Sequence, residues 1–437
     1  MNNIDEYLGI MTIGLVLAAT LQLYLLRRQI NNFADPLFYF VLTSAFSLGL
    51  GVHAVDSVEL YVRIVFYFLC LYIGFFSAIG KPKIAAQPLV MHFGVGQFKS
   101  VVVIGGTLYL IANLAVWAKS GLIILSSDPT LYKSTSYDGG LGIVRRINWG
   151  LGSFVLIAAT YWYLWERSKT ALVWLGLAVL ISISGGSKSA LLPIIFAMGL
   201  YFLNPFSPAS SGKKMPNPRS LVYAALFAII PVVTVLLIEQ GSLETAATAL
   251  LQRLFFFGDI LLYWGQPDLR AHFVYLGLLD YLRDSFGSIL GMLRLIDYGI
   301  PMGNQFVQFT LPVGTDFSES LGPNLPFYVR GELYLGVWIA PVHAFVVGWI
   351  LGRIRRIFAQ YRGANLLHYT LAAFAIMLST ALPGEEVLAI GEAFDFMMIF
   401  TPIYVLVLLI SFAAQPSRAQ FGALKIGGGE VCKNENV

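Results

Sequence analysis

The sequence has few charged residues and almost no cysteine. Only 12% of its 437 residues are charged, whereas an ordinary soluble domain has about 25%. Its two cysteines, Cys70 in an apolar run and Cys432 near the C-terminus, suggest neither a disulfide framework nor a zinc site. The first ten residues contain no Lys or Arg. The basic start of a cleaved secretory signal is therefore missing, and residues 8–27 are expected to remain as a membrane span.

Apolar residues are abundant instead: they make up 57% of the chain and occur in long blocks. A helix that crosses a membrane needs about 20 mostly apolar residues. The blocks therefore predict an all-α polytopic membrane protein with about eleven transmembrane helices in a single integral membrane domain, residues 1–437. The predicted spans are 8–27, 37–55, 60–80, 100–118, 147–165, 170–186, 189–204, 220–238, 333–352, 366–382 and 394–414.

Basic residues are distributed unevenly among the segments that connect these spans. If the N-terminus is outside, 17 of the 28 Lys and Arg residues fall in cytoplasmic segments, but only four of the 24 Asp and Glu residues do. Segments rich in Lys and Arg tend to stay on the cytoplasmic side. The sequence therefore predicts that the N-terminus lies outside and the C-terminus inside.

Two exterior segments are long in this topology, 119–146 and 239–332, and the second separates the eighth span from the ninth. Structureless loops of that length are uncommon and are usually functional. The second segment is also rich in Phe, Tyr, Trp and Leu. We therefore expect it to fold into interfacial or short buried helices against the bundle.

One predicted exterior turn carries a basic residue, Lys188, directly after Gly185-Gly186-Ser187. The turn exposes backbone N–H groups and precedes the positive end of a helix dipole. Together with Lys188, these groups are suited to bind an anion. A tight interhelical turn with Lys188 pointing into water explains the pattern equally well.

Arginines are also frequent on the predicted exterior side. A guanidinium binds phosphate through two parallel hydrogen bonds. Arg253 has nearly all apolar neighbours, so it needs a partner, either Asp259 or a bound anion. Arg330 and Glu332 stand where the ninth span begins, and charges at that depth are costly unless paired or functional. A local ion pair between these two residues is the structural alternative. The exterior arginines from 145 to 330 are Arg145, Arg146, Arg253, Arg270, Arg283, Arg294 and Arg330.

Two further charged segments favour structural interpretations. In residues 270–299, Arg283 and Arg294 are eleven residues apart and would share one face of a continuous helix. This pattern favours a salt-bridged amphipathic helix with charges facing solvent. The acidic segment 381–395 is predicted to be a solvated exterior loop, and the sequence contains no recognisable metal-binding motif.

Several of these features resemble the oligosaccharide repeat-unit polymerases, the Wzy-type O-antigen polymerases of bacteria. The turn Gly-Gly-Ser-Lys-Ser-Ala at 185–190 is similar to the Gly-Ser-Arg/Lys-small-Ala turn often seen in that family and in O-antigen ligases. The large exterior loop before a Gly-rich late span, the exterior arginines and the number of spans are similar as well.

The resemblance implies a glycosyltransferase without a cofactor that polymerises lipid-linked repeat units at the outer face of the bacterial inner membrane, as in lipopolysaccharide or other surface polysaccharide biosynthesis. Its substrates, donor and acceptor, would be oligosaccharides linked to undecaprenyl diphosphate. A chain-length regulator is a further implied partner, and nucleic acid is not. Cations would stabilise the departing diphosphate, and a carboxylate or His would accept the proton of the attacking hydroxyl. The candidate cations are Arg330, Arg270, Arg253 and Lys188, with Arg145 and Arg146 behind them; the candidate bases are Glu332, Asp259 and His272.

Two other functions remain open at this point. An O-antigen ligase, which transfers finished glycan to the lipid A core, has nearly the same sequence features. A lipid-linked oligosaccharide flippase or solute transporter is the other alternative. Transporters commonly carry paired halves and charges deep within their spans, whereas this chain divides into eight spans and three with its charges near the outer edge.

Overall fold

The computed structural model describes residues 4–30, 34–54, 57–79, 94–126, 139–186, 191–203, 258–273, 275–311, 322–360 and 365–413, with a few more between 129 and 137 and between 233 and 246. Within these ranges the regular structure is entirely helical. The N-terminal half forms α1 (Ile4–Leu26), α2 (Pro36–Ala54), α3 (Val58–Ile79), α4 (Val95–Ser120), α5 (Gly142–Glu166), α6 (Lys169–Ser184) and α7 (Leu192–Leu203).

The segment predicted to be a long exterior loop contains short helices, as expected from its aromatic and leucine content. They are α8 (Ile260–Trp264), α9 (Pro267–Phe273), α10 (Leu278–Ser285), α11 (Gly287–Met292), α12 (Met302–Thr310) and α13 (Phe327–Leu335). Three longer helices follow, namely α14 (Ala340–Gln360), α15 (Leu366–Ser379) and α16 (Glu386–Ala413).

Three helical segments in the described part of the chain are long and apolar enough to cross a membrane. They are α3, the segment Val95–Leu125 that contains α4, and α16. Seven of the other predicted spans coincide wholly or largely with helices that are shorter or less apolar. The one remaining predicted span, 220–238, lies mostly outside the described residues. The count of eleven spans and their orientation remain predictions.

Two predicted boundaries are wrong in an informative way. The ninth span was placed from residue 333, but Gly336, at a φ of +79°, ends α13, and α14 begins only at Ala340. The acidic segment 381–395 was predicted to be a loop, yet α16 begins at Glu386 and includes Asp395. Glu386 and Asp395 are tolerated inside an apolar helix because each forms an ion pair with an arginine from another helix.

The expectation of one continuous helix over residues 270–299 is also wrong, although Arg283 and Arg294 are exposed as predicted. The segment breaks into several short helices, and Arg294 lies beyond the end of α11 with a φ of +57°. Arg283 and Arg294 therefore do not share the face of one continuous helix.

The buried apolar residues form two clusters. One joins α4, α5, α6, α7, α15 and α16, and the other joins α2, α3, α8, α13 and α14. Ion pairs mark both ends of the bundle. Lys99 with Glu166 (2.8 Å) and Arg355 with Asp35 (2.5 Å) lie at one end. The opposite end, where α3, α5, α14 and α16 begin, carries the charged candidates described below.

Glycines allow α3 and α14 to pack with their backbones in near contact. A Cβ at Gly348 would lie 2.0 Å from the Leu71 carbonyl oxygen, and one at Gly74 would lie 2.0 Å from the Phe345 carbonyl oxygen. Small residues that permit such close approach are typical of helix pairs in membranes.

Gly348→Leu is therefore expected to lower the thermal unfolding temperature of the protein in detergent. The added side chain must push α3 and α14 apart, and overpacking of this kind costs about 1–3 kcal/mol. Gly176→Leu is the matched control, because a Cβ at Gly176 on α6 has no neighbour within 4 Å. An unfolding temperature that is unchanged in both variants would contradict the tight α3–α14 interface.

Candidate functional site

Helix α13 carries two of the predicted site residues into the interior. The helix begins after Pro326, and its first residue, Phe327, donates its N–H to the Pro383 carbonyl at 3.0 Å. Arg330 is 0% exposed and Glu332 is 5% exposed. Residues two positions apart point in different directions on a helix. The alternative of a local Arg330–Glu332 ion pair is therefore wrong, and each residue has its own partners.

Arg330 is held by two carboxylates and a hydroxyl. Its Nη1 lies 2.5 Å from the Asp284 Oδ2, its Nε lies 3.1 Å from the Glu386 Oε2, and its Nη2 donates to the Ser285 Oγ at 2.7 Å. The guanidinium also lies beside the rings of Tyr281 and Tyr334, at 4.9 and 5.1 Å from their centroids. These contacts join α10, α13 and α16.

The charge on Arg330 is favoured by this setting. Burial alone would lower the pKa of the guanidinium, but the carboxylates of Glu386 and Asp284 outweigh that effect and raise the pKa above its ordinary value. Arg330 therefore remains a cation whose hydrogen-bonding groups face protein partners.

His343 extends the same cluster. Its Nε2 lies 2.9 Å from the Glu386 Oε1, and the Tyr281 hydroxyl donates to the Glu386 Oε2 at 2.9 Å. His343 lies in the first turn of α14, so the cluster also ties α14 to α10 and α16. The residues Arg330, Glu386, Asp284, His343 and Tyr281 are called the arginine cluster below.

Glu332 is fully occupied by a second set of partners. It accepts from the Tyr67 hydroxyl at 2.7 Å and from the Trp264 Nε1 at 3.0 Å, and its Oε1 lies 3.0 Å from the Arg63 Nε. These donors come from α3 and α8. A carboxylate with two hydrogen-bond donors and an arginine beside it is well suited to hold elements together and is poorly available as a base.

Asp259 has a different environment. It stands at the start of α8, where the chain packs closely on α2; a Cβ at Gly258 would lie 2.9 Å from the Ser47 Cα. The Asp259 Oδ1 is buried and has no hydrogen-bond partner among the described residues. Burial raises the pKa of this carboxyl to about 7, although backbone N–H groups oppose the shift. Of the two described candidate carboxylates, Glu332 and Asp259, this is the one with an unoccupied oxygen.

The two arginines at the start of α5 differ sharply. Arg146 is buried, forms an ion pair with Asp395 and donates to the Ser288 carbonyl at 2.9 Å. Arg145 is exposed, and its guanidinium lies 4.2 Å from the centroid of the Trp149 ring. Arg145 forms no ion pair within the described part of the chain.

Arg270 and His272 lie on α9. Arg270 is half-buried and forms no ion pair with any described residue. His272 is exposed, and its ring stacks on Phe309 with centroids 4.7 Å apart. His272 and Phe309 line a shallow groove together with residues that include Gln305 and Gln308.

The structure thus divides the predicted residues into groups. Arg330, Glu332 and Arg146 are buried and paired, Arg270 and Arg145 are cations without a carboxylate partner in the described chain, and Asp259 has a vacant oxygen. Lys188 and Arg253 lie outside the described residues.

Sequence reasoning missed the partners that hold the site together. Arg63 and Tyr67 lie in the predicted span 60–80, for which the sequence indicates no partner, and Glu386 lies in the segment predicted to be a solvated loop. A signal was available, since a charged or polar residue within an apolar helix usually has a buried partner.

No group of three or more His, Cys, Asp or Glu side chains within the described ranges is arranged to hold a metal ion. No protein-family model, curated protein or solved structure matches the chain.

Proposed function

We propose that this protein is a membrane glycosyltransferase that polymerises undecaprenyl-diphosphate-linked oligosaccharide repeat units into O-antigen or a related surface polysaccharide. The observation that carries the proposal is the contrast within one end of the bundle. Paired charges build a rigid frame there, while a carboxylate, Asp259, and two arginines, Arg145 and Arg270, form no ion pair with any described residue. Glycosyl transfer from a diphosphate needs a base and cations with free hydrogen-bonding groups.

In this proposal Asp259 is the general base. A hydroxyl of the acceptor sugar would donate its proton to the vacant Oδ1 as the oxygen attacks the anomeric carbon of the donor. A pKa near 7 suits this role, because such a carboxylate is both substantially ionised and basic enough to take the proton. Tyr263, which is partly exposed, lies near enough to interact electrostatically with Asp259, and its ring is a suitable surface for a sugar.

Cations complete the reaction at the leaving group. The bond from the anomeric carbon to the diphosphate oxygen breaks, and negative charge develops on that oxygen. Arg270 and Arg145 are the described candidates for binding it, with Arg253 and Lys188 as further candidates. Arg330, Arg146 and Glu332 are assigned to positioning, since their polar groups already contact protein.

The site end of the bundle is proposed to face the periplasm, with the chain in the bacterial inner membrane. This orientation follows the bias of Lys and Arg along the sequence. It places the diphosphate-linked substrates on the side where surface polysaccharide is assembled. A chain-length regulator is the proposed protein partner, and no cofactor is required.

The proposal is tested by incubating the purified protein with a lipid-linked repeat unit and separating the glycans by size on a gel. A ladder of increasing length is expected. Transfer only to lipid A core would favour a ligase, and uptake of the substrate into vesicles without any new glycosidic bond would favour a carrier.

Arg270→Ala is expected to lower glycan synthesis by about 10²-fold, the usual effect of removing one group that stabilises a developing charge. Arg283→Ala is the matched control, because Arg283 is an exposed arginine of the same region that forms no ion pair with any described residue and has no assigned role. Initial rates measured for both variants decide the point. Equal rates in the two variants would remove Arg270 from the site.

A further inference from the structure

Helix α10 has an unusual arrangement of its side chains. Its polar residues Tyr281, Asp284 and Ser285 point inward and contact Arg330 or the groups around it. Its leucines point outward instead. Leu278 is 61% exposed and Leu279 is 80% exposed. A helix that packed on a protein core from water would show the opposite pattern.

The outward residues of α10 are further sorted into two sectors. With about 100° of rotation per residue, Leu278, Leu282 and Leu279 fall within one sector about 100° wide. Asp280 and Arg283 fall in the adjacent sector, and both are exposed. The helix therefore has one face toward protein, one apolar face and one charged face. This is the pattern of a helix that lies in the plane of a membrane interface.

The start of α10 lies beside a second exposed apolar surface, the one around Trp338. The Leu276 and Gly277 N–H groups donate to the Leu333 and Tyr334 carbonyls, each at 3.0 Å. This contact places the start of α10 beside the α13–α14 junction. Trp338 at that junction is 93% exposed.

From this junction the exposed apolar surface runs along α14. Val342 is 58% exposed, Val346 is 44% exposed and Trp349 is 41% exposed, at the spacing of one helix face. Helix α14 packs tightly on α3, which is itself long and apolar enough to cross a membrane. The leucines of α10 therefore extend a surface whose natural environment is lipid.

We propose that α10 is an interfacial helix whose leucines contact the acyl chains of the bilayer. Leu278, Leu279 and Leu282 would lie among the acyl chains together with Trp338, as is common for tryptophan at membrane interfaces. Asp280 and Arg283 would face the headgroups and water. The helix would then hold the arginine cluster at the level of the membrane surface. This inference does not depend on the proposed reaction.

The test compares two positions one turn apart on the same helix. Leu279→Cys and Arg283→Cys are made without the native cysteines, labelled with an environment-sensitive fluorophore and reconstituted into phosphatidylcholine vesicles. Leu409→Cys on α16, where Leu409 is 61% exposed, is the lipid reference. Trp338→Cys gives a second position for the proposed surface.

The labels at 279, 338 and 409 are expected to be quenched by phosphatidylcholine with brominated chains and to be quenched only weakly by iodide, which stays in the water. The label at 283 is expected to show the reverse. Iodide quenching at 279 equal to that at 283 would overturn the proposal. Protection of 279 from both quenchers, with disulfide-linked dimers on oxidation, would overturn it too, because a second copy would then cover the leucines.

Discussion

Arg330→Met is expected to destabilise the folded protein by about 3–5 kcal/mol, the usual cost of removing one partner of a buried ion pair. Arg330 is 0% exposed, and its removal leaves Glu386, which is 3% exposed, without its nearest arginine. The loss is measured as a lower thermal unfolding temperature in detergent and a smaller yield of monodisperse protein. Four helices meet at this cluster, so the effect should extend well beyond one contact.

A double variant separates two causes of the lost stability: the missing contacts of Arg330, and the buried charge of Glu386 that is left unpaired. Arg330→Met with Glu386→Gln removes the cation and neutralises the carboxylate that it serves. Stability is expected to recover in part, because groups in direct contact couple strongly in a double-mutant cycle. Arg283→Met controls for removing an arginine from the surface of the same region and should have almost no effect on unfolding.

The single variant Arg330→Met also distinguishes a positioning role of Arg330 from direct contact with the substrate. If Arg330 bound the diphosphate, Arg330→Met would unfold like the wild type and would lose only glycan synthesis. That outcome would contradict the structural assignment, because it would mean that the contacts to Asp284 and Glu386 contribute little. It would restore the hypothesis drawn from the sequence, in which Arg330 binds the leaving group.

The helices were predictable where apolar runs are long and uninterrupted. Helix α2 was expected at 37–55 and forms Pro36–Ala54. The errors occur where charged residues enter the runs, as at the start of α16. A hydropathy argument treats Glu386 and Asp395 as exposed. Their pairing with Arg330 and Arg146 makes them compatible with a helix.

The partners of the charged residues were beyond the reach of the sequence. Tyr67 and Glu332 are separated by 265 positions, and Arg146 and Asp395 by 249. No local spacing rule connects residues so far apart. Charge at membrane depth does indicate that a partner exists. Only the folded arrangement identifies it, and it also distinguishes Asp259, with its vacant oxygen, from Glu332, which is saturated.

Asp259→Asn is expected to reduce glycan synthesis by about 10²–10⁴-fold, the range for loss of a general base. The amide has nearly the same size, so the fold should be retained. In the wild type, the base must be ionised. With a pKa of about 7, activity should rise as the pH increases through that value and fall below it. Initial rates of polymer formation from pH 5.5 to pH 8.5, a range of about 1.5 units around that value, give the profile.

Asp268→Asn controls for the loss of a nearby exposed carboxylate and should keep the wild-type rate. A second control is needed, because burial also raises the pKa of Glu385 to about 7. Glu385 already accepts the Leu325 N–H at 3.0 Å. Glu385→Gln is therefore expected to leave the pH profile in place. If the pH profile of activity shifts in Glu385→Gln, the group whose ionisation controls the rate is Glu385 and not Asp259.

The effect of Asp259 on stability has the opposite sign. A carboxyl whose pKa is higher in the folded protein stays protonated while the unfolded chain has already released its proton. Folding stability therefore falls as the pH rises from about 4 to about 7. Asp259→Asn should raise the unfolding temperature relative to the wild type, and more at pH 8 than at pH 5, a range of about three units that contains the shift. An active site that gains stability when its base is removed is expected if burial of this carboxylate serves catalysis. A variant that loses activity and stability together would show that Asp259 supports the fold.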